Sequence, residues 1–387
     1  MTRPAFVTAP ELGRYTLSAE HPFKPLRLEL TRTLAAACGL LGDVDEVAPE
    51  PFGEEELLTL HDPEYVAAVR AVSRGEHVAD AYSYGLGTSD NPVFPGMHET
   101  VVRVCGATMT AVRRVASGEV TRAASFSGGL HHAMRAAMSG FCTYNDAALA
   151  IHGAVRRYGQ RVAYLDLDAH HGDGVQAMFY ASADVLTFSV HESGRYLFPG
   201  TGFTFETGRG AGRGLSLNLP LEPFTEDASY LAGLATVLPP ALAAFRPDLI
   251  VLQAGADMHR YDPLSHLNLS VQGVAESYRL VSSLADAFCG GRLVALGGGG
   301  YDPYRTVPRL WTLLWAVLSR QPFPETLPES WRRRWEAELG VTLPERFFDA
   351  ADRWPAAPRR ADIEAANAAT AAKLLATVQP IWRECGL

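Results

Sequence analysis

Eight residues, 166–173, carry an unusual density of groups that can bind a metal or move protons. They read DLDAHHGD, with three carboxylates and two imidazoles, and follow the apolar run RVAYL, which is typical of a buried strand. Unpaired buried charge is too costly to persist, so these side chains must be ion-paired, hydrogen-bonded or bound to a metal. Alternate residues of a strand share a face, about 6.6 Å apart, which predicts that Asp166, Asp168 and His170 project together.

The types of side chain in this run favour a divalent cation. Asp168 and His170, joined by Asp257 from the segment LQAGAD, make three protein ligands and leave a position for water, the pattern of a catalytic zinc site. A buried hydrogen-bonded network without metal is the alternative that spacing alone leaves open.

Two adjacent histidines, His131 and His132, follow the glycine pair of the segment SGGLHH. Successive side chains point in different directions, so the two imidazoles cannot easily both find hydrogen-bond partners inside one core. Asp166 and Asp173 are left over from the metal-ligand set, and each can fix the tautomer of one histidine. The combination is that of a metal-dependent hydrolase, in which a histidine transfers a proton and a further group binds the oxyanion.

Short β-branched runs that alternate with helical patterns must position these groups. Runs such as RVAYLDLD and DLIVLQAG alternate with segments such as NDAALAIHGAVRRYG, whose apolar residues have helical spacing. This alternation predicts an α/β fold with a doubly wound, mostly parallel sheet flanked by helices. In such sheets functional groups gather beyond the carboxyl ends of the strands. Five strand ends carry polar or glycine-rich tips: SGGLHH, DLDAHHGD, the tip with His191, the tip with Asp257, and GGGGY ending at Tyr301.

Composition and charge exclude several classes of protein. The formal net charge of −9 argues against non-specific binding of nucleic acid. Five scattered cysteines without a C-x-x-C pair argue against a disulfide framework or a thiolate zinc site. No apolar run approaches the roughly 18 residues of a membrane span, and the N-terminal stretch lacks a signal-peptide core, so we expect a cytoplasmic protein.

The domain organisation is predicted from a change in composition after Ser319. Prolines then punctuate short helical pieces, and an Ala-rich stretch from Ala361 reads as a final helix. We therefore expect a catalytic domain over residues 1–318 and a Pro-rich, helical extension over residues 319–387, packed on or beside it as an appendage.

Five segments, taken in order, resemble the signature blocks of the zinc-dependent histone deacetylase family, which has an arginase/deacetylase-like fold. They are SGGLHHAMRAAMSGFCTYND, YLDLDAHHGDGVQAMFY, FSVHESGRYLFPGTG, QAGAD and GGGGYDPYRTVPRLW. The resemblance runs from about Phe6 to Leu318. The segments EHPFKPLRLELT and GLGTSDNPVFPGMHET are most similar to the bacterial acetoin-utilisation deacetylases of that family.

The resemblance implies a role for each matching position of the catalytic centre. Asp168, His170 and Asp257 would bind zinc, with Fe²⁺ as the alternative metal in the cell. His132, oriented by Asp173, would be the general base and then the general acid, while His131, paired with Asp166, would support the water and the leaving group. Tyr301 would donate its hydroxyl to the developing oxyanion. Asp166 and Ser189 match a structural potassium site.

The resemblance also implies a narrow tunnel for an acyl-lysine side chain. Gly140, Phe141 and Phe198 would form its walls. Asp90 matches the rim residue that binds the substrate backbone, and Arg27 matches the residue associated with acetate release. Polyamine-selective members can carry a glutamate where this chain has Leu264, directly after Asp262-Pro263. We therefore expect an acetylated lysine of a protein or peptide as the substrate, with an acyl-CoA synthetase as a candidate partner.

Other functions are weighed against this interpretation. An acetylpolyamine amidohydrolase is the alternative within the family. An arginase-like ureohydrolase needs two metals and extra carboxylates, whereas GADMHRYDP offers one plausible ligand. A dinucleotide-binding protein would need G-x-G-x-x-G, which the segment LGGGGYDP lacks. A non-catalytic acyl-lysine-binding module would have no reason to retain every proton-transfer and metal residue.

Overall fold

The computed structural model describes residues 3–42, 45–350 and 355–387. Residues 1–2 and 43–44, in the predicted segment 1–318, and residues 351–354, in the predicted segment 319–387, lie outside the described residues.

Within the described residues, eight parallel strands form one sheet in the order β2-β1-β3-β8-β7-β4-β5-β6. The strands are β1 (Ala5–Val7), β2 (Glu46–Val47), β3 (Arg122–Ser125), β4 (Val162–Asp166), β5 (Val185–Glu192), β6 (Ser216–Leu221), β7 (Leu249–Gln253) and β8 (Leu293–Leu296). The predicted parallel sheet is therefore confirmed, and each of the five apolar runs with a polar tip forms one of its strands.

Helices connect these strands and cover both faces of the sheet. They are α1 (Leu26–Ala37), α2 (Glu54–Leu57), α3 (Pro63–Ser73), α4 (Met97–Ala116), α5 (Asp146–Tyr158), α6 (Asp173–Phe179), α7 (Asp227–Phe245), α8 (Val271–Cys289), α9 (Val307–Leu318), α10 (Glu329–Leu339) and α11 (Arg360–Cys385). Alternate residues of a strand point to opposite faces, so the sheet supports two separate cores. In β4, Val162 and Tyr164 pack in a core with α3, α4 and α5, whereas Ala163 and Leu165 pack in a core with α1, α7, α8 and α9.

The long apolar helix α7 corrects the expectation that no segment is long enough to cross a membrane. It has 19 residues with a mean hydropathy of 1.5, and by length and composition alone it is long and apolar enough to span a bilayer. About half of this helix is buried inside the protein, with Leu234, Leu238 and Leu242 fully buried. Its contacts with α8 and α11 are those of a core helix. The length of this helix was not predicted from the sequence, because glycine, serine, threonine and two prolines interrupt its apolar residues.

The C-terminal segment contributes to the same core as the parallel sheet. Trp335 of α10 is fully buried, and Leu374 and Trp382 of α11 pack with the residues of α7. The indole Nε1 of Trp382 donates to the carbonyl of Gly214 at 2.7 Å, just before β6. Burial of two indole rings by this segment is a substantial contribution to stability.

Candidate active site

The loop after β4 and the loop after β7 bring three candidate metal ligands together. The strand β4 ends at Asp166, so the pleat predicted for residues 166–170 does not extend to Asp168 and His170; these two lie in the following loop. One ligand atom from each of Asp168, His170 and Asp257 lies within 4.8 Å of the others, and all three residues are buried. The imidazole Nδ1 of His170 lies 3.2 Å from Oδ1 of Asp168 and 3.0 Å from Oδ2 of Asp257.

The second oxygens of the two carboxylates are fixed by hydrogen bonds. Oδ2 of Asp168 accepts from the side chain of Gln253 and from the backbone of Gly299, both at 2.8 Å. Oδ1 of Asp257 accepts from the backbone of Ala169 at 2.9 Å. A side chain at position 299 is excluded, because a β-carbon there would lie 2.0 Å from Oδ2 of Asp257. These contacts orient the carboxylates toward His170.

The electrostatics of this cluster suit a cation. Burial, and then the neighbouring carboxylate of Asp168, raise the pKa of Asp257 to about 6. A divalent cation between the carboxylates would offset this repulsion, and two carboxylates with one imidazole are ordinary ligands of zinc. Among the described residues, this is the one group of three or more His, Cys, Asp or Glu side chains with such spacing.

The two adjacent histidines each pair with a different buried carboxylate, as the sequence predicts. Nδ1 of His131 lies 2.8 Å from Oδ2 of Asp166, and Nδ1 of His132 lies 2.7 Å from Oδ1 of Asp173. The ring centroids of His131 and His132 are 4.0 Å apart. Since each Nδ1 is engaged by a carboxylate, each Nε2 is left for other partners.

The two histidines have pKa values shifted in opposite directions. Burial, followed by the proximity of His131, lowers the pKa of His132 to about 4, although Asp173 opposes this change. Burial alone would lower the pKa of His131, but the carboxylates of Asp166 and Asp168 raise it to about 9. The carboxylates therefore favour the protonated form of His131, whereas burial favours the neutral form of His132.

The turn that carries the two histidines is held by the start of α5. The carboxylate of Asp146 accepts from the backbone of Gly129 and Leu130 at 2.9 and 2.7 Å. The amide of Asn145 donates to the carbonyl of His131 at 3.3 Å. Asp146, Asn145 and Gln253 were not predicted from the sequence, because each reads as an ordinary element boundary.

Tyr301 lies on the glycine-rich loop after β8 beside Arg27. The backbone N–H of Tyr301 donates to Oδ2 of Asp262 at 2.6 Å, and its ring packs edge-on against Phe141 at 5.8 Å. Burial, and then Asp257, raise the pKa of Tyr301, so its hydroxyl stays protonated and able to donate. Arg27 is 2% exposed, donates to the carbonyl of Gly300 at 3.0 Å, and lies over the ring of Trp311.

The two predicted tunnel aromatics contact different residues of the site. Phe198 is 47% exposed, and its ring centroid lies 5.0 Å from that of His132. Phe141 packs between Tyr301 and His21, and its backbone N–H donates to the side chain of Asn91 at 2.9 Å. Gly140 lies directly against His132.

The predicted rim residue Asp90 and the predicted substrate-binding residue Leu264 lie in different surroundings. The carboxylate of Asp90 is exposed, while its backbone carbonyl lies 3.3 Å from Nε2 of His21. Leu264 is partly exposed, and its backbone donates at 2.9 Å to Asp262, the carboxylate that also holds Tyr301. His21 and Asn91, which connect Asp90 with Phe141, were not assigned a role from the sequence.

The remaining predictions concern β5. Ser189 pairs in register with Asp166 of β4, so the two predicted potassium ligands are neighbours across the sheet. The hydroxyl of Ser189 lies 2.8 Å from Nδ1 of His191. His191 was expected at a strand tip, but β5 continues to Glu192; His191 is fully buried, contacts His171, and is not part of the ligand cluster.

Comparison with known proteins identifies the family of the chain. Residues 21–318 match the histone deacetylase domain. The chain belongs to the histone deacetylase family. This confirms the resemblance seen in the sequence motifs, and the members of this family are metal-dependent deacetylases.

Relatives and solved structures of this histone deacetylase family align along nearly the whole chain. The acetoin utilization protein AcuC of Bacillus subtilis is 44% identical over 97% of both chains, and that of Staphylococcus xylosus is 38% identical over 96% of this chain and 97% of the other. A crystal structure of an HDAC homologue complexed with SAHA has a TM-score of 0.85 at 30% identity, covering 96% of this chain and all of that chain. A homologue from Aquifex aeolicus has a TM-score of 0.83 at 30% identity, with the same coverage.

Proposed function

We propose that this chain is a zinc-dependent amidohydrolase that removes acetyl groups from lysine side chains of proteins. One observation carries the proposal: two adjacent histidines with separate carboxylate partners lie beside the Asp168–His170–Asp257 cluster. This arrangement supports proton transfer next to a Lewis acid.

Zinc fits the ligand cluster, with Fe²⁺ as the alternative metal in the cell. A divalent cation bound by Asp168, His170 and Asp257 would polarise an amide carbonyl and lower the pKa of water. His259, two residues after Asp257, hydrogen-bonds to Asp349 instead of joining the cluster, which favours one metal over the two of an arginase-like enzyme. A structural K⁺ held by Asp166 and Ser189 is part of the proposal, since both offer oxygen ligands.

The roles of the catalytic side chains follow from their hydrogen bonds. His132, neutral and oriented by Asp173, accepts a proton from the attacking water and later gives it to the lysine amine. His131, paired with Asp166 and positively charged, stabilises negative charge beside it. The protonated hydroxyl of Tyr301 donates to the oxyanion that develops on the amide oxygen.

The proposed substrate is an acetylated lysine in a polypeptide. Gly140, Phe141 and Phe198 would enclose an apolar lysine stem beside His132, and Arg27 would lie at the inner end near Tyr301. The exposed carboxylate of Asp90 can accept backbone N–H groups, which a peptide offers and a polyamine lacks.

The cellular context is proposed from the names of the relatives. Similarity to acetoin utilization proteins supports a role in metabolism. We propose a metabolic enzyme, such as an acyl-CoA synthetase, as the substrate, and a cytoplasmic location. We further propose that residues 1–318 carry the catalytic groups and that residues 319–387 support them.

A turnover experiment with measured metal content tests the proposal. Purified protein is assayed on acetyl-lysine peptides, longer-acyl peptides, acetylspermidine and acetylputrescine, and the zinc, iron and manganese per chain are determined in the same sample. We expect turnover of acetyl-lysine peptides with one zinc or iron ion per chain. Preference for acetylpolyamines would favour the alternative within the family, and two manganese ions would favour the ureohydrolase.

A further inference from the structure

The C-terminal segment places a buried carboxylate, Asp349, beside the loops of the candidate active site. The side chain of Asp349 is 7% exposed. Its Oδ1 accepts from Nη1 of Arg309 on α9 at 3.0 Å, and its Oδ2 accepts from the backbone of Val271 at the start of α8 at 2.9 Å. The backbone of Asp349 is also held, since Gln272 bonds to both its N–H and its carbonyl.

The remaining partner of Asp349 is His259, which is 90 residues earlier in the chain and fully buried. Nε2 of His259 lies 2.9 Å from Oδ2 of Asp349. Nδ1 of His259 lies 3.3 Å from both the backbone nitrogen of Tyr261 and the hydroxyl of Thr306. The backbone N–H can only donate, so Nδ1 accepts from it and Nε2 carries the proton that is donated to Asp349. The carboxylate thus fixes the tautomer and the ring orientation of His259.

His259 connects this contact to the site by two short routes. It follows the metal-ligand candidate Asp257 by two residues. Its carbonyl accepts from the backbone of Asp262 at 2.8 Å, and the side chain of Asp262 accepts from the backbone of Tyr301 at 2.6 Å. Asp349 is therefore linked to the oxyanion donor through two intermediate residues.

We infer that Asp349 is a positioning residue of the active site. It fixes the position of the Tyr301 loop through His259 and Asp262. The C-terminal segment would then supply part of the catalytic scaffold, and not merely cover the sheet. This inference goes beyond the proposed function and rests on it for the role of Tyr301.

The substitution Asp349→Asn tests this link without a change of volume. Both oxygens of Asp349 accept hydrogen bonds, whereas asparagine has only one acceptor oxygen. Its NH₂ group would therefore face either Arg309 or the pair His259 and Val271, which are donors themselves, and the contact on that side would be lost. A small displacement of a catalytic group can lower the rate strongly, and we expect kcat to fall about tenfold with little change in KM. Glu345→Gln is the matched control, because Glu345 belongs to the same segment and its side chain is 81% exposed.

A double-mutant cycle with Tyr301→Phe separates positioning from general loss of stability. If Asp349 acts through the tyrosine hydroxyl, Asp349→Asn should reduce kcat less than about twofold in the Tyr301→Phe background. Equal losses of kcat in both backgrounds would overturn the inference.

Hydrogen exchange of the metal-loaded full chain gives a readout that does not depend on turnover. Asp349→Asn should speed amide exchange in residues 256–269 and 297–306 relative to wild type, and Glu345→Gln should not. Unchanged exchange in residues 297–306 would overturn the inference even if the wild-type protein is active. Inactivity of the wild-type protein on acetyl-lysine would instead overturn the proposed function, while the exchange result would still decide whether Asp349 holds the loop.

Discussion

Gly140 lies so close to His132 that a β-carbon built on it would be 2.4 Å from Cδ2 of the imidazole. The φ angle of Gly140 is +49°, in the left-handed region that favours glycine. The absence of a side chain at Gly140 therefore leaves room for the imidazole of His132, whose Nδ1 is held by Asp173.

Gly140→Ala should displace His132 and reduce kcat by about 10- to 100-fold, because the proton acceptor would leave its productive place. Steady-state kinetics with an acetyl-lysine peptide check this. Gly290→Ala is the control: its φ is +62°, and a β-carbon there meets nothing within 4 Å. Comparable kcat values for the two variants would show that the contact with His132 has no catalytic consequence.

The metal prediction concerns the buried Asp257 carboxylate. Chelation should abolish activity and added Zn²⁺ should restore it, and Asp257→Ala should lose bound metal and activity together because one of three ligands is removed. Asp362→Ala, at an exposed position of α11, should keep both. Metal per chain and turnover are measured in the same sample, and full activity in metal-free protein would contradict the prediction.

The hydroxyl of Tyr301 is expected to act in the transition state. Tyr301→Phe should lower kcat by about 10²–10³ with a modest change in KM, the effect of removing one oxyanion donor. Tyr304→Phe on the same loop is the control. A Tyr301→Phe enzyme with a near wild-type rate would show that another group holds the oxyanion.

Much of the site could be predicted because parallel strands bring their carboxyl ends to one edge of the sheet. The apolar run before Asp166 and the run before Asp257 are strong strand signals, and their polar tips do meet. The strands β1 and β2 have three and two residues, too few for a periodic pattern, and the sequence did not reveal them.

Contacts between distant segments could not be predicted from local pattern. Nothing in the sequence around Asp349 points to His259, because a single buried hydrogen bond leaves no periodicity. Gln253 looked like the end of an apolar strand, yet its side chain fixes Asp168. His191 was predicted to lie beyond the end of its strand, because the apolar run ends at Val190. The strand in fact continues to Glu192, which the apolar run alone does not indicate.

The contact of α11 with β6 predicts a stability effect. Trp382 is 5% exposed and donates to the carbonyl of Gly214, so Trp382→Ala should lower the free energy of unfolding by about 3–5 kcal/mol. Trp382→Phe keeps most of the packing and should cost less, because mainly a hydrogen bond of about 1 kcal/mol is lost. Denaturant unfolding followed by circular dichroism measures both, and a loss below about 1 kcal/mol for the alanine variant would show that α11 docks only loosely.

We expect the charge at position 264 to influence the choice between peptide and polyamine substrates, because Leu264 is partly exposed and its backbone N–H donates to Asp262, the carboxylate that also holds Tyr301. A polyamine is a flexible cation, so a carboxylate at this position should attract it, while an apolar side chain suits a lysine stem. Leu264→Glu should therefore shift kcat/KM toward acetylpolyamines by about tenfold, roughly 1.4 kcal/mol, relative to acetyl-lysine peptides. Leu264→Gln introduces a side chain of nearly the same shape as glutamate but without the charge, so it should not produce the shift. Added salt should weaken the effect of the glutamate, because position 264 is solvent-accessible. The assignment to polypeptide lysines is wrong if the wild-type enzyme already prefers acetylspermidine or acetylputrescine, since an apolar residue at position 264 would then not decide the substrate class.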